Sequence, residues 1–379
     1  MANKRVYFAC EQVQILPDGV ATGGSQYIVH GVQSAGSNVN FNLEPIFELG
    51  QVDLYENIEN LADVEVTLEK VLDGYCPIFL MATAGSPSAT LVGRSTAKCI
   101  VGFSVFSDVQ DSASGNPIAE VVCSGMFPGA VSYTFPVEGN ATESVTLLGN
   151  NRINRIQNAS AALMTQHPGL ESGVWRFVGQ MDNTDSPLSL SGSGGVNRRE
   201  DMLFDVPGLA PTLDVNGQVV YNRATILPPC IRGISSSGTN DTINGEKGAH
   251  VQDISVSTDY GRDNLFEQGR RNPYHRTANF PIEVTCEVNI LATDLDLVSA
   301  SDAGVVAGTG SNLKNYSIQV KMREGLLINL GTKNKLASVS YSGGDSSGGN
   351  VTATFSFVNQ NAMSVFHPQD KTAALRIDA

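Results

Sequence analysis

The chain has 379 residues, a net charge of −14, and only 16% charged residues. Its length allows two or three domains with separate cores. No run of 18 apolar residues occurs, so we predict no membrane partner, and the negative charge disfavours a protein that grips nucleic acid through its phosphates.

The first strongly patterned segment is a strand. From Asp63 to Glu69 polar and apolar residues alternate, with β-branched residues at several positions. A period of two indicates a half-buried strand with one face on a core and one face in solvent. Similar alternation follows at residues 119–123, 131–137, 283–290, 316–322 and 352–357.

Helical patterns are scarce. The best candidates are residues 76–82, where a proline stands near the first turn, and residues 154–164. Clusters of Gly, Ser and Asn separate the strand-like segments, as turns require. The sequence therefore predicts a mainly β fold with few short helices.

An internal repeat relates the two halves of the chain. Phe47, Glu48, Gly50 and Tyr55 have identical counterparts, in the same order and spacing, within 266–274. A Glu-Val-Thr-x-Glu motif at 65–69 recurs at 283–287, and a third block, 129–135, matches 349–355. Three collinear blocks at nearly one offset predict a duplication. We predict domain 1 at residues 1–150, a non-repeated insertion or linker at 151–212, and domain 2 at 213–379.

The repeated segments resemble tail tube proteins of tailed bacteriophages. The resemblance rests on residues 41–74, on 255–285 of the second copy, and on the Gly-Gly-Val-Asn-Arg-Arg-Glu-Asp run at 194–201. It implies a β-sandwich or partial barrel whose strands join those of neighbours around a hollow ring. Stacked rings would conduct viral DNA during ejection without binding it specifically.

The resemblance also implies partners and a location. The chain would assemble with itself, with a trimeric pseudo-hexameric ring favoured and a hexamer as the alternative. It would also contact other tail proteins, either sheath or baseplate. The expected location is the virion tail, assembled in the host cytoplasm, and the N-terminal segment carries no apolar signal core that would suggest export.

The two copies differ in charge. The first copy is acidic where the second carries arginines, and a ring needs two complementary surfaces on each subunit. We therefore hypothesise that these segments meet between alternating domains, while independently solvated faces remain the alternative. The candidate contacts are Glu48, Asp53, Glu56, Glu59, Arg262, Arg270, Arg271, His275 and Arg276.

A second hypothesis concerns the channel. An acidic wall would repel DNA weakly and let it slide, whereas Lys or Arg would retain it. These strand faces could equally look outward to solvent or to a neighbour. The candidate lumen-facing residues are Asp63, Glu65, Glu69, Glu283 and Glu287.

No sequence motif for catalysis stands out. Metalloprotease, nucleophile-elbow and P-loop patterns are absent from the sequence, and His30 and His250 occupy similar places in the repeat. We predict no enzyme, no catalytic or metal site and no cofactor. The alternatives to a tube subunit are a baseplate hub, a neck protein or a tail terminator, and more distantly a β-sandwich module that binds cell surfaces or carbohydrate.

Overall fold

The computed structural model describes residues 6, 8–17, 28–86, 88–106, 117–156, 170–171, 195–203, 212–213, 219–220, 225–228, 231, 250–270, 273–291, 315–343 and 350–367. The fold is mainly β, as the alternating patterns predicted. Two short α-helices, α1 (Ile78–Ala82) and α2 (Leu91–Arg94), and two 3-10 turns, Phe8–Cys10 and Arg199–Asp201, accompany the strands.

The strands of the first half are β1 (Glu11–Pro17), β2 (Val32–Asn40), β3 (Leu43–Phe47), β4 (Leu54–Glu59), β5 (Asp63–Val71), β6 (Cys99–Val105), β7 (Ala119–Pro136), β8 (Thr142–Gly149), β9 (Asn151–Ile156) and β10 (Leu170–Glu171). Those that follow are β11 (Thr212–Leu213), β12 (Val219–Val220), β13 (His250–Asp259), β14 (Asp263–Leu265), β15 (His275–Thr277), β16 (Glu283–Leu291), β17 (Gln319–Lys321), β18 (Leu327–Asn329), β19 (Lys335–Ser342), β20 (Thr352–Gln360) and β21 (Ser364–Phe366).

One antiparallel path of eight strands runs through both halves of the chain. Its order is β2-β5-β8-β7-β13-β16-β20-β19. We call the first four strands unit 1 and the last four unit 2. The units join where β7 pairs with β13, so the sheet continues from one half into the other.

The two units share strand order and local irregularities. The β2–β5 ladder skips Gln33, and the β13–β16 ladder skips Gln252 at the same place. The β7–β8 ladder skips Gly129, and the β19–β20 ladder skips Ala337. Because a β-bulge marks one position in a ladder, these four residues align the units strand by strand. An origin by duplication, and the domain boundaries at 150 and 212, stay predictions.

The apolar face of the eight-stranded path forms one side of the core. Alternate residues such as Val66, Val145, Tyr133, Val256 and Phe355 are buried on it. In the first half this face is covered by α1 and by a second group of strands, β1, β6, β9 and the N-terminal part of β7. In the second half the three-stranded sheet β17-β18-β21 contributes side chains to the same core.

The helix prediction was half right. The segment at 76–82 contains α1, which begins after Pro77 and buries most of its side chains. The segment at 154–164 was predicted wrongly at its start, because Asn154–Ile156 belong to β9, which pairs with β7. Residues 157–164 lie outside the described residues. Within the described residues no helix is long and apolar enough to cross a membrane.

Part of the predicted linker ties the two halves together. The Asn197 amide donates to the Leu72 carbonyl of the first half, and the Ala141 amide donates to the Asn197 carbonyl. The Leu203 amide then donates to the Lys321 carbonyl of the second half. Residues 195–203 therefore act as a strap between the halves.

Candidate assembly surfaces

The face of the eight-stranded path opposite the core is mostly polar across its whole width. Cross-strand partners lie on the same face of a sheet, so the register identifies its members. We call this surface the polar face. One row that crosses it from β2 to β19 consists of Ser34, Glu69, Ser144, Ser132, Ser257, Thr285, Val358 and Lys335.

All five carboxylates predicted to line a channel lie on the polar face. Asp63, Glu65 and Glu69 alternate with buried valines and a leucine on β5, and Glu283 and Glu287 do the same on β16. Asp253 and Asp259 of β13 lie on the same face. Among the described strand residues of this face, Lys335 at the edge of β19 is the single basic residue.

The polar face is indented at the junction of the units. A depression of about 340 Å³ is lined by residues of β7, β8, β13 and β16. Its lining includes Ser132, Ser257, Asp259 and Glu283. Farther along β13 on the same face, burial and the Glu287 carboxylate raise the pKa of Asp253 above its ordinary value. Neighbouring carboxylates on this face therefore repel one another.

Both ends of the eight-stranded path are open edges. β2 pairs with β5 on one side, and β19 pairs with β20 on one side. Within the described residues neither strand has a partner on its outer side. The outer edge of β2 carries neither a charged residue nor a proline along its nine residues, and β19 has one charge, at its first position, Lys335.

Two exposed segments project beyond the ends of the strands. Arm 1 (residues 41–62) contains the β3–β4 hairpin, and arm 2 (residues 260–282) contains the β14–β15 hairpin. Arm 1 has five carboxylates and no Lys or Arg, whereas arm 2 has four arginines and two carboxylates. Apolar side chains are exposed on both arms, namely Phe41, Leu43, Phe47, Leu49, Val52, Leu54, Tyr55, Ile58, Leu265, Phe266, Tyr274 and Phe280.

Most of the predicted contact residues are exposed on these arms. Glu48, Asp53, Glu56 and Glu59 lie exposed on arm 1, and Arg270 and His275 lie exposed on arm 2. The Arg270 guanidinium pairs with the Glu267 carboxylate three residues earlier, at 2.7 Å. Arg271 lies outside the described residues. A role for these side chains between subunits stays a prediction.

Arg262 is half-buried, and its guanidinium is engaged within the chain. Its guanidinium donates hydrogen bonds to the Pro128 and Ser95 carbonyls, and its Cζ lies 5.0 Å from the ring centroids of Phe127 and Tyr260. Burial lowers the pKa of Arg262 to about 10. These contacts hold arm 2 against unit 1.

Arg276 is also engaged within the chain. Its Nη2 donates to Asn150 Oδ1 at 2.9 Å and lies 3.8 Å from Asp63 Oδ1, and its Nε donates to Asn264 Oδ1 at 2.7 Å. Asn42 of arm 1 donates to the other Asp63 oxygen at 2.8 Å. Burial lowers the pKa of Arg276, while the Asp63 carboxylate opposes that shift. An arginine of the second half thus meets a carboxylate of the first half inside one chain.

Sequence reasoning missed the open edges and their aromatic residues. Tyr341 on β19 is 45% exposed, and Phe41 beside the end of β2 is 63% exposed. The available signal was the uncharged, proline-free sequence of residues 32–40, because soluble proteins usually protect edge strands with charge or proline.

Comparisons with known proteins gave weak likenesses to solved structures. A chain of the sheath-tube complex of an extracellular contractile injection system is 12% identical, with 41% of this chain and 94% of that chain covered and a TM-score of 0.30. A chain of the anti-feeding prophage baseplate is 12% identical, covering 40% and 96%, with a TM-score of 0.31. A chain of a native gene transfer agent virion is 15% identical, covering 33% and 88%, with a TM-score of 0.21.

No protein-family model matches the chain. No curated protein matches it either. At such low scores the likenesses assign no family, and the function is inferred from the surfaces of the chain itself.

Proposed function

We propose that the chain is a tail tube subunit, which assembles into stacked hollow rings that conduct DNA during ejection. The observation that carries this proposal is the polar face. Among its described strand residues there are seven carboxylates and one lysine, and one of the carboxylates, Asp63, is paired with Arg276. A surface with that charge repels the phosphate backbone, so DNA passes without being held.

The open edges support a ring. A subunit that closes a cycle needs two different complementary surfaces, one at each end. β2 and β19 stand at opposite ends of the eight-stranded path. Since each chain contributes two four-stranded units, three chains would give a ring of six units, and a trimer is the proposed assembly.

The arms supply a second contact between neighbours. Around a ring, acidic arm 1 and arginine-rich arm 2 alternate, so each arm 2 has an arm 1 on both sides. Exposed ion pairs contribute only about 0–1 kcal/mol each. The charges would therefore set the order of the arms, while the exposed apolar residues and strand pairing supply the affinity.

Negative-stain electron microscopy of the purified full chain tests the proposal. Long hollow tubes are expected for a tube subunit. Single rings would instead support a hub, neck or terminator protein, and monomers at every concentration would contradict assembly and favour a binding module.

A charge reversal tests the arms. Arg270→Glu should raise the protein concentration needed for tube formation by up to about tenfold, because reversing one exposed charge changes a contact by about 1 kcal/mol. The free energy of unfolding should stay within about 0.5 kcal/mol, since Arg270 is exposed on a surface hairpin. Arg152→Glu, on exposed β9 outside both arms, is the matched control and should still form tubes. Tube formation by the Arg270 variant at the concentration that the parent chain needs would rule out the role of the arm charges.

A further inference from the structure

We propose that β19 of one chain pairs antiparallel with β2 of the next copy, in the register that joins β7 to β13 inside each chain, so that Ser340 lies opposite Asn38. This inference rests on the proposed function, because it names the contact by which copies would assemble. It specifies which residues face each other across that contact.

The contact between the units provides the template. β7 is the last strand of unit 1 and β13 is the first strand of unit 2, and they pair antiparallel from Asp253 opposite Pro136 to Asp259 opposite Ala130. In unit 2 the last strand is β19, and in unit 1 the first strand is β2. β19 is thus the counterpart of β7, and β2 is the counterpart of β13. The two strands at the open edges therefore correspond to the two strands that already pair inside the chain.

The matching bulges fix the correspondence residue by residue. Gly129 on β7 corresponds to Ala337 on β19, and Gln252 on β13 corresponds to Gln33 on β2. Ser132 and Ser257 pair inside the chain. Their counterparts, at the same distance from each bulge, are Ser340 on β19 and Asn38 on β2, which would pair between chains. The pairs to either side become Tyr341 opposite Ser37 and Val339 opposite Val39.

Aromatic residues at the open edges support this correspondence independently. Tyr341 corresponds to Tyr133, which is fully buried in unit 1, although Tyr341 itself is 45% exposed. Phe41 corresponds to Tyr260, which is fully buried at the internal junction, although Phe41 is 63% exposed. Each of these two partly exposed rings therefore has an aromatic counterpart that is covered where the units already meet.

The Tyr260 contact shows what would cover Phe41. The Tyr260 amide donates to the Gly129 carbonyl at 2.8 Å, at the end of the β7–β13 ladder. The corresponding bond at the open edges runs from the Phe41 amide of one copy to the Ala337 carbonyl of the other. Phe41 would then lie against the beginning of β19.

The occupant of each edge is a second copy of this chain. An unprotected edge strand readily pairs with another chain. Here the two open edges, β2 and β19, correspond to β13 and β7, which already pair inside the chain. The contact is head-to-tail, since β2 and β19 differ, and such contacts close into rings or continue as open filaments.

Cysteine pairs measure the register directly. The Val137 amide donates to the Gln252 carbonyl and the Tyr260 amide to the Gly129 carbonyl, so the polar-face pairs between them are the narrow, non-hydrogen-bonded ones. Their Cα atoms lie about 4.5 Å apart, within the range that a disulfide spans. Asn38→Cys with Ser340→Cys is therefore the test pair.

Three controls accompany the test pair. Ser132→Cys with Ser257→Cys should form a disulfide within one chain and so report that oxidation works. Asn38→Cys with Ser342→Cys is slipped by one strand repeat on the same face, where the Cα separation exceeds disulfide range. The parent chain is the background, in which burial raises the pKa of Cys123 to about 11 and of Cys286 to about 12 and so keeps these thiols unreactive.

Mild oxidation is followed by denaturing gels and by electron microscopy of the same samples. We expect disulfide-linked multimers from the test pair, at least about tenfold more abundant than from the slipped pair. If rings form but only the slipped pair cross-links, or neither pair does, the register is wrong and the proposed function stands. Cross-linked open chains without rings would support the pairing and overturn the tube proposal, and monomers without cross-links would overturn both.

Discussion

Replacing Phe41 by serine should weaken assembly far more than folding. Phe41 is 63% exposed in the single chain, whereas its counterpart Tyr260 is fully buried. A buried aromatic side chain covers about 150–250 Å², so complete burial of Phe41 would remove about 130 Å² more from water. At about 25 cal/mol per Å² this is about 3 kcal/mol for each contact.

That free energy corresponds to roughly a hundredfold change in the association constant. The critical concentration for assembly of Phe41→Ser, measured by sedimentation, should therefore rise by about two orders of magnitude. The chain's own contacts cover the smaller part of the ring, so we expect the free energy of unfolding of the single chain to fall by only about 1 kcal/mol.

Val92→Ser is the matched control for Phe41→Ser. Val92 is an apolar residue that is 41% exposed on α2, outside both arms and both open edges. Its replacement should leave the critical concentration within about twofold, because surface substitutions away from contacts change free energies by at most about 0.5 kcal/mol. A critical concentration for Phe41→Ser that equals that of the control would show that Phe41 stays in solvent and would refute the correspondence with Tyr260.

Three further predictions concern the first half, the junction between the halves and the polar face. Glu143 is buried and accepts hydrogen bonds from two α1 backbone amides and from the Tyr133 hydroxyl. In urea titrations Glu143→Ala should therefore lower the free energy of unfolding by about 3 kcal/mol, and Glu143→Gln, which keeps an acceptor, should lower it clearly less. Equal losses from the two variants would contradict a role of Glu143 in capping α1. Burial raises the pKa of Glu324 to about 7. The contribution of Glu324 to stability is therefore complete below its ordinary pKa of 4.5 and is lost as pH rises through 7. Glu324→Gln should flatten the pH dependence of the unfolding midpoint between pH 5 and 8, and an unchanged slope would exclude Glu324 as the source of that dependence. Glu65→Lys with Glu287→Lys should make tubes retain DNA in a nuclease-protected, salt-sensitive form, and tubes that retain none would argue against the polar face as the channel wall.

The strands were predictable because polar and apolar residues alternate along them, as a strand with one buried face requires. β5 and β16 each place apolar residues on a core and polar residues on the opposite face, and a period of two admits no other arrangement once one face is buried. The five candidate lumen-facing carboxylates lie on one polar face, because each belongs to the polar set of its alternating strand. Whether that face lines a channel was beyond the sequence, since a polar strand face has the same pattern whether it meets a channel, a neighbouring subunit or bulk solvent.

The alignment of the two halves was predictable only to within one strand repeat. The sequence match places Glu65 with Glu283, but the bulges place Glu65 with Thr285. Both alignments keep the same face, because Glu283 and Thr285 lie on either side of the buried Val284. A Glu-Val-Thr-x-Glu motif nearly repeats itself at every second position, so identity alone does not distinguish registers that differ by one such step.

The third sequence block was matched to the wrong strand. Phe135 lies on β7, which pairs with β8 and β13, whereas its sequence match, Phe355, lies on β20, which pairs with β16 and β19. The spatial counterpart of β7 is β19. Short alternating segments resemble each other wherever they lie in a sheet, and their neighbours, which the sequence does not show, decide the correspondence.

The arginines of arm 2 show a different limit. Arg262 and Arg276 were predicted as contacts between subunits on the strength of charge alone, but both guanidinium groups are used inside the chain. At the open edge their counterparts are Leu43 and Asn57, neither of them charged. At these two positions the contact between chains would therefore lack the arginine contacts of the internal junction.

The carboxylates of the polar face bear on how that face works. In the register set by the bulges, Glu65 corresponds to Thr285, and Thr67 corresponds to Glu287. Asp63 and Glu283 coincide in this register, but the other carboxylates of β5 and β16 do not, since Glu69 corresponds to Asn289. A site that held one ligand would need its charges at fixed points, whereas a wall that repels a moving polymer needs only a potential of one sign. The arrangement therefore favours a surface that a charged polymer passes, rather than a site that binds it.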